Sequence, residues 1–204
     1  VAFNAAAVLF GRDFKVFSVA WSSTNVIPAN TVLYGTDWGT PAGQTNPWVE
    51  VGYTDGGLNF GIEITRGEIR VDQSLDPIAR PATGRNMTLS TQMAEFTAAN
   101  IRAAAGQGTV NAVAATTAAR GYNDLDIDPT ITDNYRSIGY DIQHPGDSEA
   151  FRIIGWKTIP SGGVTGTINP EDNATIGLDV TCFPDTSVTP NRVLKLRDIV
   201  AIGA

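Results

Sequence analysis

Apolar and polar positions alternate most strictly near the end of the chain, where Ala174, Ile176, Leu178, Val180 and Cys182 interleave with Thr175, Gly177, Asp179 and Thr181. A period of two predicts a strand with one face in the core and the other outside it. The same period recurs after Arg85, with Met87, Leu89, Thr91 and Met93 on one face and Thr88, Ser90 and Gln92 on the other. The pattern then changes to that of a short helix. Thr97 is placed as an N-cap, Ala98 to Ala105 is rich in good helix formers, and Gly106 suits the left-handed position after the last turn. Upstream, Trp48 to Ile64 reads as two strand-like runs around Asp55-Gly56-Gly57, a spacing that predicts a tight hairpin. Glu68 to Ser74 predicts a further strand.

Shorter patterns complete the outline. Phe14 to Val19 and Thr31 to Tyr34 read as short strands on either side of the polar turn Ser22-Ser23-Thr24-Asn25, and Gly35 to Pro47 reads as a loop. Pro77 and Pro81 interrupt ladder pairing between Asp72 and Gly84, which predicts an excursion between two strands. A second excursion spans Gly106 to Asn134. Later strands are predicted at Ser137 to Gln143, Ala150 to Ile159, Ala174 to Phe183 and Val193 to Ile202. About eight to ten strands with one helix predict a mainly β protein, an antiparallel β-sandwich or flattened barrel with one flanking α-helix and long loops. Neither a second domain nor an internal repeat is legible, so residues 1–204 read as a single domain.

Charge changes the functional picture more than length does. The formal charge is −7, and three lysines (Lys15, Lys157, Lys195) join eleven scattered arginines. Grip on nucleic acid is built from clustered cations, so this chain does not read as a DNA-binding protein. No apolar run is long enough to span a membrane. The apolar start, Val1 to Phe10, lacks a preceding basic segment and does not read as a signal peptide. Cys182, the one cysteine, excludes an intramolecular disulfide and falls on the apolar face of its strand as a small hydrophobe.

Catalytic and metal chemistry find little to work with. His144, the one histidine, stands before Pro145-Gly146 with Asp141 and Asp147 three residues to either side, and no Gly-x-Ser-x-Gly elbow exists to present a nucleophile. Gly106-Gln107-Gly108 lacks the third glycine and the lysine of a phosphate loop. Asp124, Asp126 and Asp128 alternate like the opening of a calcium loop, but Pro129 and Tyr135 occupy the positions that need glycine and glutamate. That segment reads instead as a short edge strand with an acidic outer face. The sequons at Asn86 and Asn173 read as accidental. No catalytic residue, cofactor or metal is therefore expected.

The segments Trp48 to Phe60 (WVEVGYTDGGLNF), Ile69 to Ile78 (IRVDQSLDPI) and Met87 to Ala105, with LSTQMAEFTAANIRAA, resemble the tail tube proteins, or major tail proteins, of long-tailed bacteriophages. The resemblance covers the middle third of the chain; the ends fit in outline. It implies a non-enzymatic structural subunit that closes into rings, usually hexameric, whose sheets merge into an inner barrel and whose stacking makes a conduit for genome delivery. The implied partners are further copies of itself and the tape-measure, tail-tip and tail-terminator proteins. Double-stranded DNA passes through without specific binding. The implied location is the virion, with assembly in the host cytoplasm and no membrane.

Under that reading the two excursions are the arms toward neighbouring subunits, with Asp72, Gln73, Leu75, Pro77, Ile78 and Arg80 on the first and Asp124, Asp126 and Asp128 on the second. Thr175, Asp179 and Thr181 are candidates for the lumen, because small and acidic side chains offer phosphates no clamp. The acidity equally serves plain solubility. Two other functional classes remain open at this point. One is a capsid-decorating or head-tail joining protein. The other is a carbohydrate-binding β-sandwich in which Trp21, Trp38, Trp48 and Trp156, with Tyr34 and Tyr53, stack on sugar rings, although Trp48 and Tyr53 fall on opposite strand faces.

Overall fold

The computed structural model describes residues 13–72, 76–127, 129–131, 133–143, 150–164, 166–167 and 174–199. Among these residues eleven strands and one helix follow in order: β1 (Phe14–Ala20), β2 (Val49–Glu50), β3 (Thr54–Arg66), β4 (Ala82–Met93), α1 (Ala98–Ala105), β5 (Thr109–Val113), β6 (Tyr122–Asp126), β7 (Arg136–Gln143), β8 (Ala150–Pro160), β9 (Gly166–Thr167), β10 (Thr175–Phe183) and β11 (Leu194–Asp198). The protein is mainly β, and every strand pairing is antiparallel.

Nine strands form one sheet in the order β2-β1-β7-β8-β10-β4-β3, with β11 added to β8 and β9 to β10. The first part of β8 pairs with β11 and its last residues pair with β10, so the sheet divides along that strand. Coiling brings β1 and β3 close together, although they stand near opposite ends of the strand order. No ladder joins them, so the described residues form no closed barrel. Between the two halves lies the main core, where Val16 of β1, Tyr140 of β7 and Ile153 of β8 share a cluster with Leu89 and Met93 of β4 and Leu178 of β10.

The strongest period-two patterns behave as expected. On β10, Ile176, Leu178, Val180 and Cys182 are buried and Asp179 is exposed; on β4, Met87, Leu89, Thr91 and Met93 are buried. The helix is capped as predicted, with the Asn100 amide donating to Thr97 Oγ1 and Gly106 at φ 65°.

Three local expectations are corrected. Asp55-Gly56-Gly57 is not a hairpin turn. Gly56 and Gly57 take positive φ, but the register moves from Asp55 opposite Gln92 to Leu58 opposite Thr91, so the pair is a bulge inside β3. The twelve-residue β4 offers both flanking runs the same partner, and Thr91 Oγ1 pins the bulge by donating to Gly57 O at 2.9 Å. Thr31 to Tyr34 forms turns, because the carbonyls of Ala29 and Val32 are taken by the Arg152 guanidinium instead of a neighbouring strand. Glu68 to Ser74 makes no named strand among its described residues. Ile69 instead forms a single bridge with Ala79, which continues the β3–β4 hairpin.

Residues 21–48, expected to be turn and loop around a short strand, cover the outer face of β1, β7 and β8. Trp38 and Trp48 from this segment join Phe17, Val19, Ile154 and Trp156 in a second core. Trp38 stacks on Phe17 at 4.5 Å between centroids, and it lies where a Cβ on Gly139 would sit 2.2 Å from its ring. A glycine in β7 is therefore what lets the indole lie flat on the sheet.

Candidate functional site

The β3–β4 hairpin runs past the core. Phe60, Ile62 and Ile64 are exposed by 53%, 46% and 52%, and Ala82 to Asn86 in the outer part of β4 are also exposed. Phe60 faces Leu89, Ile62 faces Met87 and Ile64 faces Arg85, so this apolar row continues the core-facing side of the hairpin beyond the core itself. Among the described residues β3 has a ladder on one side only, which leaves its other edge free to pair.

At the tip, Asp72, Ile78 and Arg80 are exposed and Pro77 is half-buried; Gln73 and Leu75 lie outside the described residues. Glu68 bridges Arg70 and Arg80 at 2.8 Å each. Exposed pairs of this kind contribute little stability but hold the tip in shape.

The second excursion is a separate two-stranded sheet, β5 with β6, packed near α1. Asp124 and Asp126 are exposed on β6, as the edge-strand reading expects, and Asn111 Nδ2 donates to Asp126 Oδ2 at 2.7 Å. Asp128 lies outside the described residues.

Thr175, Asp179 and Thr181 share one sheet face with β4 and β3. Asp179 pairs with Ser90, which pairs with Asn59, while Thr181 pairs with Thr88, which pairs with Gly61. Ser90 Oγ donates to Asp179 Oδ1. Glu63 and Asn86 continue this face, and no lysine or arginine stands at these paired positions; Lys157 of the adjoining β8 lies opposite Phe183.

Where the sheet fails to close, between β1 and β3, an open cleft of about 1150 Å³ remains. Phe14, Leu58, Phe60, Ile142, Phe151 and Ile153 supply apolar lining, and Asp13, Lys15, Glu50, Asp55 and Glu95 the charged lining. Lys15 pairs with Glu50 at 3.0 Å, and Glu95 accepts from the Tyr53 amide. The Tyr34 hydroxyl, also in the wall, is pushed up to about 12 by burial and by Asp13, Asp141 and Glu50.

Three arginines that the sequence reading passed over tie residues 21–48 to the sheet. Arg152 is fully buried, bonds Asp141 Oδ1 at 3.0 Å, and donates to Ala29 O and Val32 O; Trp38 Nε1 donates to the other Asp141 oxygen. Burial raises the Asp141 carboxyl above its ordinary value against the pull of Arg152. Arg192 bonds Asp185 and the carbonyls of Ser22, Ser23 and Asn25, and Arg197 bonds Pro28 O and Asn30 Oδ1. Burial would raise Asp185, but hydrogen bonds from Ser187 and Arg192 outweigh it and hold this carboxyl below the usual range. The available signal was a charge of each sign, Asp141 between Tyr140 and Ile142 and Arg152 between Phe151 and Ile153, each with apolar neighbours in its strand.

Asp141 is thus committed to Arg152, while His144 and Asp147 lie outside the described residues. Among the described residues no group of histidine, cysteine and carboxylate side chains is placed to hold a metal, and no helix is long and apolar enough to cross a membrane. Cys182 is buried, and burial pushes its thiol up to about 12. The tryptophans do not make a platform: Trp38, Trp48 and Trp156 are core residues, while Tyr53 is exposed by 80%.

This arrangement defines an antiparallel, mainly β protein with two projecting hairpins and an open seam. No protein-family model matches the chain, and no curated protein matches it.

Proposed function

We propose that this chain is the structural subunit of a phage tail tube, which self-assembles into stacked rings; the rings close through sheet edges and form the conduit for genome delivery.

 The subunits form hexameric rings, the rings stack, and no ligand is needed for either step. The observation that carries this reading is the three-strand face of β10, β4 and β3, which bears Asp179 and Glu63 among small neutral side chains and no cation. A duplex slides past such a surface because it meets no ammonium or guanidinium to displace its counterions. The free edge of β3 and the projecting hairpins support self-assembly, since an unpaired edge is satisfied by the sheet of a neighbouring copy.

On this reading the inner wall of the tube is built from the cation-free faces of neighbouring subunits. The tape-measure, tail-tip and tail-terminator proteins are its partners, and it has no enzymatic role. The core positions of Trp38, Trp48 and Trp156 weigh against the sugar-binding alternative. Purified protein examined by negative-stain electron microscopy and light scattering should give hollow tubes or stacked rings of uniform diameter. A monomer that stays monomeric at high concentration, and that a tail-tip complex also fails to recruit, would overturn the proposal. Binding to capsids without tube formation would favour the decorating class.

A further inference from the structure

Two unpartnered apolar features stand at opposite ends of one strand: the seam cleft at the start of β3 and the exposed row Ile62 and Ile64 toward its far end. We propose that the seam cleft is the socket for the β3–β4 hairpin of a second copy of this chain, joined head to tail. The inference rests on the reading of the chain as a self-assembling subunit and adds the docking site.

A chain cannot fill its own socket with its own hairpin. Leu58 and Phe60 of β3 line the cleft, so the hairpin leaves from that wall and runs outward. Tyr53 at the mouth and Ile64 on the arm are eleven positions apart in nearly continuous strand, roughly 30 Å at about 3.3 Å per residue.

The occupant is argued from chemistry. The hairpin offers Ile62 and Ile64 with Arg85 on the same face, and Glu63 points to the opposite face. The socket offers an apolar floor and a border of four carboxylates, Asp13, Glu50, Asp55 and Glu95, against the single cation Lys15. An apolar row flanked by an arginine therefore meets an apolar floor flanked by carboxylates. The free edge of β3 supplies backbone donors and acceptors beside the same opening. Because socket and arm are different surfaces, the contact is heterologous and propagates from copy to copy.

Cysteine pairing tests this directly, since buried Cys182, with its thiol pushed up to about 12, stays out of the chemistry. Protein carrying both Tyr53→Cys and Ile64→Cys should oxidise into a covalent ladder under assembling conditions, and the two single variants should cross-link when mixed but not alone. A disulfide needs Cα atoms within about 7 Å, so this bond cannot form inside one chain. Cross-linking of either single variant with itself, as readily as in the mixture, overturns the head-to-tail contact. So does a Tyr53→Cys thiol shielded from a soluble reagent in the monomer, which would mean that its own chain fills the cleft.

Electron microscopy of the same samples separates the two proposals. Tubes without the mixed cross-link overturn the socket and leave the tube reading standing; a ladder without tubes supports the socket and overturns the tube reading. Arg85→Glu should slow assembly about tenfold at low salt, with Asp55→Arg restoring it. An unchanged rate would overturn the charge pairing.

Discussion

Arg152 holds its charge where no water reaches it; its Nε bonds Asp141, and its two terminal nitrogens pin residues 21–48 through the Ala29 and Val32 carbonyls. Removing one member of such a pair leaves the other buried and uncompensated, which costs about 3–5 kcal/mol. Arg152→Met should therefore lower unfolding stability in urea by about that amount, and adding Asp141→Asn should recover part of it, because an amide keeps an acceptor for the Trp38 indole without a charge. A loss below about 1 kcal/mol for the single variant would mean that the loop is held by Trp38 and Trp48 instead. Asp185 makes a prediction about pH. Its folded carboxyl lies below the unfolded value of about 3.9, so its contribution is present above that pH and is lost as the pH falls through the folded value. Asp141 has the opposite sign, because its raised carboxyl favours the fold on the acid side and loses that contribution as the pH rises. Thermal midpoints followed from pH 7 to pH 3 should therefore fall less in Asp185→Asn than in the parent protein. Parallel curves would exclude Asp185 as a source of the acid loss.

Among the elements, the β3–β4 hairpin divides between two tasks. Its inner half contributes Leu89, Thr91 and Met93 to buried positions, while its outer half is exposed on both faces. Replacing residues 67–81 by an Asn-Gly turn would join the paired Arg66 and Ala82 directly, the spacing of a two-residue hairpin loop. Since the outer half buries little, melting followed by circular dichroism should shift by less than about 1 kcal/mol in stability, whereas electron microscopy should find no tubes. Tubes of normal length from the shortened protein would remove this hairpin from the assembly. The bulge at Gly56 and Gly57 lies in the inner half, where it lets Thr54 and Leu58 both pair along β4.

For the whole molecule, the sign of charge on the cation-free sheet face is the quantity that matters. Asp179→Lys places one cation among Thr88, Ser90 and Thr181, and in the proposed tube this cation is repeated once per subunit. Phosphate contacts add along the duplex, so particles built from this variant should assemble normally and eject DNA more slowly, with the delay shrinking as salt rises. Unchanged ejection kinetics from correctly assembled particles would place Asp179 away from the bore.

The chain by itself determined its elements wherever a repeating pattern ran long enough to be unambiguous. The alternation in β10 and β4 and the cap, helix and stop at Thr97, Ala98 to Ala105 and Gly106 depend on neighbours a few residues apart, and local forces suffice to set them. Asp55-Gly56-Gly57 was ambiguous because positive φ serves a turn and a bulge equally, and only the length of β4 selects between them. The hold of Arg152, Arg192 and Arg197 on residues 21–48 joins positions more than a hundred apart in sequence, so no short-range pattern carries it. The candidate lumen residues were legible as a polar strand face. That β3 and β4 extend this face without a cation, and that a cleft opens where β1 and β3 fail to pair, was decided by the coiling of the sheet, which brings distant strands together after the local elements are set.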